Sequence, residues 1–393
     1  MTTSARGVET SFDLYDKELM QDPHRVYDEF RTHCPVAHSD RTEGFWVLSR
    51  YEDVVAANLD TSTFSSRFCL LPRMQFGPDF TERPPLTLDP PEHTAFRRLL
   101  LPGFTAKQVA KWEPDIRRIC REALAEFAAT GSCDATSDYA KKIPLGFTCQ
   151  LLGVPPEMEP DFARWSFGLV EADDVEGALK AAGEIAAFLH GQVEQRRTAP
   201  TDDLISVLMD IEIEGERLDG PQLLGALVLI LIAGLDTTWS AIGSSLYHLA
   251  SHPEDRRRLV KDPSLIPSAV EELLRYETSV HPTRTVTRPC ELGGVELSPG
   301  DRIAVPYGAS NRDPTVFERP DEIVLDRAAN RHLAFGAGNH RCLGSHLARL
   351  ELRVAFEEIF RRVPSFSVPR DAVLRAYGGQ TRAIANLPFR IDT

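Results

Sequence analysis

Between Asp219 and Ser251 the chain carries its longest helical pattern, and Leu223–Leu235 within it is apolar on nearly every side. A helix of that composition has no polar face to offer water, so protein must cover it all round. Asp219 can cap its start, Pro221 falls in the first turn, and His252-Pro253 stops the pattern about eight turns later. No stretch of the chain reaches the ~18 consecutive apolar residues of a membrane span, so this helix is expected to cross the interior of a globular core. Midway along it, Ala233-Gly234-Leu235-Asp236-Thr237-Thr238 introduces an acid and two hydroxyls. Buried polar groups need a partner or a chemical purpose. Ala233 and Gly234 leave space beside the helix, and glycine followed by hydroxyl side chains lets the backbone ladder open around a small ligand.

The rest of the chain can build such a core. Its 393 residues are 42% hydrophobic and 26% charged, enough for one large or two ordinary domains. Helical periodicity is clear over Ala106–Ala129, Glu176–Arg196, Ser264–Tyr276 and Leu343–Arg362. Strands are few: Phe45–Leu48, small hairpins between Arg284 and Val305 broken at Gly293-Gly294 and Pro299-Gly300, and more near Phe366–Val368 and Leu387–Ile391. The fold class is therefore mainly α with minor β. With no internal repeat or linker, and with motifs spread from His93 to His346, a single domain over residues 1–393 is expected, β-richer in its N-terminal part.

A formal net charge of -14 with no basic run disfavours nucleic acid and anionic membranes as partners. The first residues, Met1-Thr2-Thr3-Ser4-Ala5-Arg6-Gly7, lack the layout of a signal peptide, and seven scattered cysteines read as reduced thiols, so a cytoplasmic location is expected.

Phe335-Gly336-Ala337-Gly338-Asn339-His340-Arg341-Cys342-Leu343-Gly344 delivers one cysteine on a glycine-rich turn just before a helix. A thiolate there, favoured by a metal, a helix start and nearby arginine, is a soft and strongly donating metal ligand. Gly336 and Gly338 would let the backbone pass close to a flat ligand, and Gly344 would leave room behind the sulfur. Taken alone, Cys342 could equally be a structural thiol. Cys342 and His346 share the spacing of a helical zinc pair, but zinc needs two further ligands with recognisable spacing, and none is evident.

The segment resembles the cysteine loop of the cytochrome P450 superfamily, Phe-Gly-x-Gly-x-His-x-Cys-x-Gly, at every fixed position. The resemblance implies a long central helix crossing a haem sandwiched between helices, small β-sheets, and haem b held through Cys342, with Phe335, Gly336, His340 and Gly344 beside it. It assigns Ala233 and Gly234 to the haem face of the central helix, and Asp236 and Thr237 to an acid–alcohol relay that delivers protons to dioxygen. Glu272-Leu273-Leu274-Arg275 matches the family's Glu-x-x-Arg signature, a structural pair whose third, basic partner is not identifiable around Arg319-Pro320-Asp321-Glu322-Ile323. His93, Arg97, Arg284 and His340 correspond to haem-propionate contacts. Each of these residues also has a bland reading as an ordinary surface or helix-pairing group.

The function so implied is a monooxygenase inserting one atom of dioxygen into a small-to-medium hydrophobic substrate by hydroxylation, epoxidation or oxidative dealkylation. No flavin or nucleotide-binding region remains on the chain, so electrons would come from a separate ferredoxin with an NAD(P)H-dependent reductase. Arg98, Arg341, Arg349 and Arg353 would form a basic patch for that acidic partner. By alignment of elements, substrate would meet the loop Phe68–Phe76, including Leu70, Leu71, Met74 and Phe76, together with Phe167, Val170, Ile230, Val280, His281 and Thr283. A monomer is expected. Two alternatives stand beside this reading: a peroxide-driven haem peroxygenase, and a non-catalytic haem sensor.

Overall fold

The computed structural model describes residues 9–67, 83–127, 131–171, 175–213 and 215–391. The central helix, Gly220–Ser251, starts in a capping box: Asp219 accepts from Gln222 N–H at 2.7 Å, and the Gln222 side chain accepts from Asp219 N–H at 3.3 Å. His252 ends it, and Pro253 opens the next helix. By length and composition alone this helix could cross a bilayer, contrary to expectation. However, 61% of its most apolar window is buried within the protein, the behaviour of a core helix.

Its two halves serve two different cores. Leu223–Leu235 packs with the helices Lys142–Leu152, Glu159–Val170, Val175–Thr198 and Leu204–Met209. From Trp239 to Ala250 it packs instead with Glu113–Phe127, Ile266–Tyr276 and Ser345–Arg362. Leu227, Val228, Leu231, Ile242 and Leu246 are sealed from water, each burial contributing roughly 1.5–3 kcal/mol. The acid and hydroxyls therefore lie where one core hands over to the other. The helix remains an unbroken α-helix through Ala233–Thr238, with no bulge.

The sheet joins distant parts of the chain. Its six strands run in the order Glu9–Thr10, Val36–Ser39, Phe45–Leu48, Arg302–Ala304, Thr283–Val286, Phe64–Ser65. The segment read as small hairpins thus divides: Cys290–Leu292 and Val295–Leu297 form the hairpin, while the flanking strands pair Arg302 with Thr285 and, in parallel, Ile303 with Trp46. Periodicity cannot report that pairing, because the partner strand lies far away in sequence. The pattern over Ala106–Ala129 also divides, into Ala106–Val109, a 3₁₀ turn at Ala110–Trp112 and Glu113–Phe127. A hairpin of Arg375–Tyr377 with Ala383–Asn386 was not anticipated, and the latter strand packs on the central helix.

Candidate functional site

The cysteine loop is closed by its own backbone, Cys342 N–H donating to Phe335 O at 2.8 Å. Gly336 and Gly338 each have φ of 66°, where an L side chain is strained. A Cβ on Gly336 would lie 2.8 Å from Tyr307 Oη, and one on Gly338 would lie 2.7 Å from Asn58 O. Backbone handedness and contact with the chain itself thus both require glycine at these two positions. At Gly344 an added Cβ would meet no protein atom, consistent with the room expected there. The Phe335 ring lies under the Arg349 guanidinium, 4.3 Å away.

Cys342 is accessible to solvent, whereas Cys120 and Cys149 are buried. Protein packed around its other sides pushes the Cys342 thiol upward, against the pull of Gly344 N–H and of Arg97, Arg341 and Arg349.

Four groups foreseen as anion contacts converge beside this loop. The rings of His93, on the helix Glu92–Leu100, and His340 lie 4.1 Å apart. Burial lowers the pKa of His93 to about 4 and that of His340 to about 2, and the charges of Arg97 and Arg284 add to both effects. His93 Nδ1, His340 Nε2 and Arg284 Nε are buried without a hydrogen-bond partner. Arg97 donates to Arg341 O. Asp89, the carboxylate acting on His93, is already engaged by Ser65 Oγ at 2.5 Å and Ser66 N–H at 2.9 Å. Orphaned ring and guanidinium nitrogens gathered around Arg97 and Arg284, with the nearby acid already used, fit a ligand carrying carboxylates on one edge. The residues present therefore fit haem propionates.

On the central helix, Thr237 Oγ1 donates to Ala233 O at 2.8 Å. Ala233 is exposed, but a Cβ on Gly234 would make ordinary contact with Thr148 Oγ1 at 3.7 Å, so Gly234 turns toward the helix Lys142–Leu152. Asp236 is buried and does not point along the helix to Thr237. Its Oδ1 accepts from Trp239 Nε1 at 2.8 Å and from Tyr377 Oη at 2.6 Å, and Thr381 also bonds the carboxyl. Desolvation raises its pKa, against those three hydrogen bonds and the charge of Lys141. Trp239 stacks flat on the Phe167 ring, 4.9 Å away, the Lys141 ammonium lies against both rings, 4.1 Å from Trp239 and 4.8 Å from Phe167, and Lys141 pairs with Glu171 at 2.5 Å.

Glu272 and Arg275 form a two-pronged pair at 2.9 Å on both prongs, fully buried. The missing third partner is Arg327, whose Nε lies 2.8 Å from Glu272 Oε2, just beyond the stretch where it was sought.

The other residues singled out from the sequence are placed as follows. Phe167 packs on Trp239. His281 is sealed, bonded through Nε2 to Tyr27 Oη at 3.1 Å and through Nδ1 to Gly379 O at 3.0 Å. Thr283 is buried in the sheet, and Val280 bridges to Thr381. Ile230 sits half-buried against the apolar cluster. Leu70, Leu71, Met74 and Phe76 lie outside the described residues, as does the Val170 side chain. Arg349 pairs with Glu271 and Arg353 with Glu113 and Glu357, so neither offers a free charge. Tyr377, Lys141 and Glu171 were missed. Trp239, one turn from Asp236, was the only local signal for that network.

A cysteine on a tight loop, two arginines and two histidines gathered beside it and a core-crossing helix fit a haem-thiolate protein. The cytochrome P450 family model matches residues 172–380. The chain is 34% identical to the vitamin D(3) 25-hydroxylase of Pseudonocardia autotrophica over 99% of its length and 98% of that protein. It is 36% identical to the mycinamicin IV hydroxylase/epoxidase of Micromonospora griseorubida over 88% and 89% respectively. Among solved structures, CYP109E1 of Bacillus megaterium in complex with testosterone superimposes with a TM-score of 0.87 at 30% identity, covering 96% of this chain and 99% of that one. The chain belongs to the cytochrome P450 family and is a haem b-dependent monooxygenase.

Proposed function

We propose that Cys342 would hold the haem iron through its sulfur, and that Arg284, His93, Arg97 and His340 would bind the haem propionates. The unpartnered donors of His93, His340 and Arg284 beside Cys342 are the observation that carries this reading. When bound, the haem supplies the iron at which dioxygen is reduced, and in this class a cysteine ligand donates density that favours O–O cleavage. The chain's own part is to hold that group, exclude bulk water and move protons. Thr237 Oγ1 spends its hydrogen on Ala233 O, which leaves its lone pairs to accept one from water. Asp236, next along the helix, is the acid that replenishes it.

Gly336 and Gly344 shape the loop around the sulfur, Phe335 backs it, and Ala233 marks the helix surface nearest the ligand. The Glu272–Arg275–Arg327 cluster braces the segment leading to the loop. The substrate is a small-to-medium hydrophobic molecule, a reading supported by relatives named for hydroxylating vitamin D(3) and for hydroxylating or epoxidising mycinamicin IV. Electrons arrive from a ferredoxin and its NAD(P)H-dependent reductase, and the protein acts as a single-domain cytoplasmic monomer.

The carbon monoxide spectrum of the reduced protein tests the centre of this reading. The wild type should give a strongly red-shifted Soret band and Cys342→Ser should not. A wild-type spectrum typical of nitrogen ligation would overturn it. Turnover with hydrogen peroxide alone at the rate reached with ferredoxin, reductase and NAD(P)H would favour the peroxygenase alternative.

A further inference from the structure

Asp236 sits where the two cores meet, and every hydrogen bond it receives comes from a donor. The indole of Trp239 can only donate, and it is pinned by Phe167 and Lys141. Tyr377 makes the shorter of the two measured bonds to Oδ1, from the hairpin of Arg375–Tyr377 with Ala383–Asn386. That hairpin packs on the central helix through Ala383–Asn386 and is also anchored outside it. Gly379 O holds His281, a Cβ on Gly378 would collide with Leu14 O, and Arg382 donates to Met20 O and Gln21 O. Tyr377 therefore ties the acid of the central helix to a separately fixed part of the fold.

We propose that Tyr377 is the positioning residue of the proton relay: its hydroxyl fixes where the Asp236 carboxylate points and sets the pH at which that carboxylate takes up a proton. The inference rests on Asp236 being the relay acid. Thr237 lies one residue on, about 100° around the helix, and its hydroxyl bonds Ala233 O while the Asp236 carboxyl bonds Tyr377. Donors around the carboxylate favour its charged form, so the bond to Tyr377 must loosen for the acid to take up a proton and swing. The other charged groups facing this pocket are Lys141, from the turn after Thr136–Ala140, and Glu171, which caps the helix Glu159–Val170 and pairs with Lys141; Arg375 of the hairpin acts on Glu171. Trp239 and Thr381 complete the shell without titrating in the usual range.

Infrared difference titration of the ferric, haem-loaded protein reads the protonated carboxyl band of Asp236. Asp236→Asn identifies that band and separates it from buried Glu351, whose pKa is raised to about 8. Tyr377→Phe removes one donor to the carboxylate, and its titration midpoint should rise by about one to two pH units. A ring-fluorinated tyrosine at position 377, a stronger donor of nearly the same shape, should move it the other way. An unmoved midpoint in both variants, or a lowered Tm with no shift, would overturn the proposal and leave Tyr377 a packing residue. The relay reading has its own test. With a surrogate ferredoxin and reductase, Asp236→Asn should raise the hydrogen peroxide released per NAD(P)H consumed, and an unchanged ratio would remove the relay whatever the infrared midpoints show.

Discussion

Arg327 Nε donates to Glu272 Oε2 at 2.8 Å from 55 residues further along the chain. It completes a buried cluster in which Glu272 also accepts from Arg275, Val324 N–H and Asn330, while Arg275 donates to the carbonyls of Asn311, Pro320 and Glu322. The helix Ile266–Tyr276 is thereby fastened to the irregular segment that leads into the cysteine loop. Glu272→Ala would leave two guanidiniums buried without their anion, at a cost of about 3–5 kcal/mol. Chemical denaturation of the haem-loaded variant should show that loss together with haem release; a change below about 1 kcal/mol would mean the cluster does not brace the loop.

Gly338→Ala should destabilise the loop through two causes acting together. The residue has φ of 66°, and the new methyl would press on Asn58 O, a backbone atom that cannot swing aside. A loss of about 1–3 kcal/mol follows. Gly344→Ala meets no protein atom, so its effect should appear in haem retention and leave the stability of the haem-free chain unaltered.

His281 makes stability depend on pH in a definite direction. Burial lowers its pKa from 6.5 to about 4. The unfolded chain therefore binds a proton that the folded one refuses, and between those two values stability falls as pH falls. The full penalty is up to about 3 kcal/mol. Urea midpoints measured from pH 7 to pH 4 should decline more steeply for the wild type than for His281→Asn, and parallel curves would count against it.

Glu271 adds a second acid-sensitive element at lower pH. Its hydrogen bonds to His332 and Arg349 outweigh burial and hold its pKa at about 2, below the ordinary 4.5. A depressed carboxylate contributes stability that is present above its unfolded pKa and lost as pH falls toward its folded one. Wild-type stability should therefore drop between pH 4.5 and about 2, and Glu271→Gln should flatten that drop.

Electron transfer should respond to arginines that have no ion-pair partner among the described residues. Arg98 and Arg341 are exposed and meet that condition, whereas Arg349 and Arg353 are held by Glu271, Glu113 and Glu357. Arg98→Glu with Arg341→Glu should slow reduction by a surrogate ferredoxin about tenfold at low salt, with the difference shrinking as ionic strength rises. Arg349→Glu should instead lower Tm. Equal rates for the wild type and the double variant at low salt would place the docking contact elsewhere.

The sequence by itself determined what depends on near neighbours in the chain. The central helix could be read from its apolar run, its Asp219 cap and its His252-Pro253 stop, because capping and periodicity act within a few residues. Cys342 and the Glu272–Arg275 pair were legible for the same reason, each being a short motif carrying its own chemistry. Tertiary structure alone decided where distant segments meet. It brought Arg327 to Glu272, Tyr377 to Asp236 and Glu271 to Arg349, and it placed His281 and Phe167 in packed positions when alignment had assigned them to substrate. A side chain's partner across the fold depends on how helices and strands stack, and neither periodicity nor spacing along the chain encodes that contact.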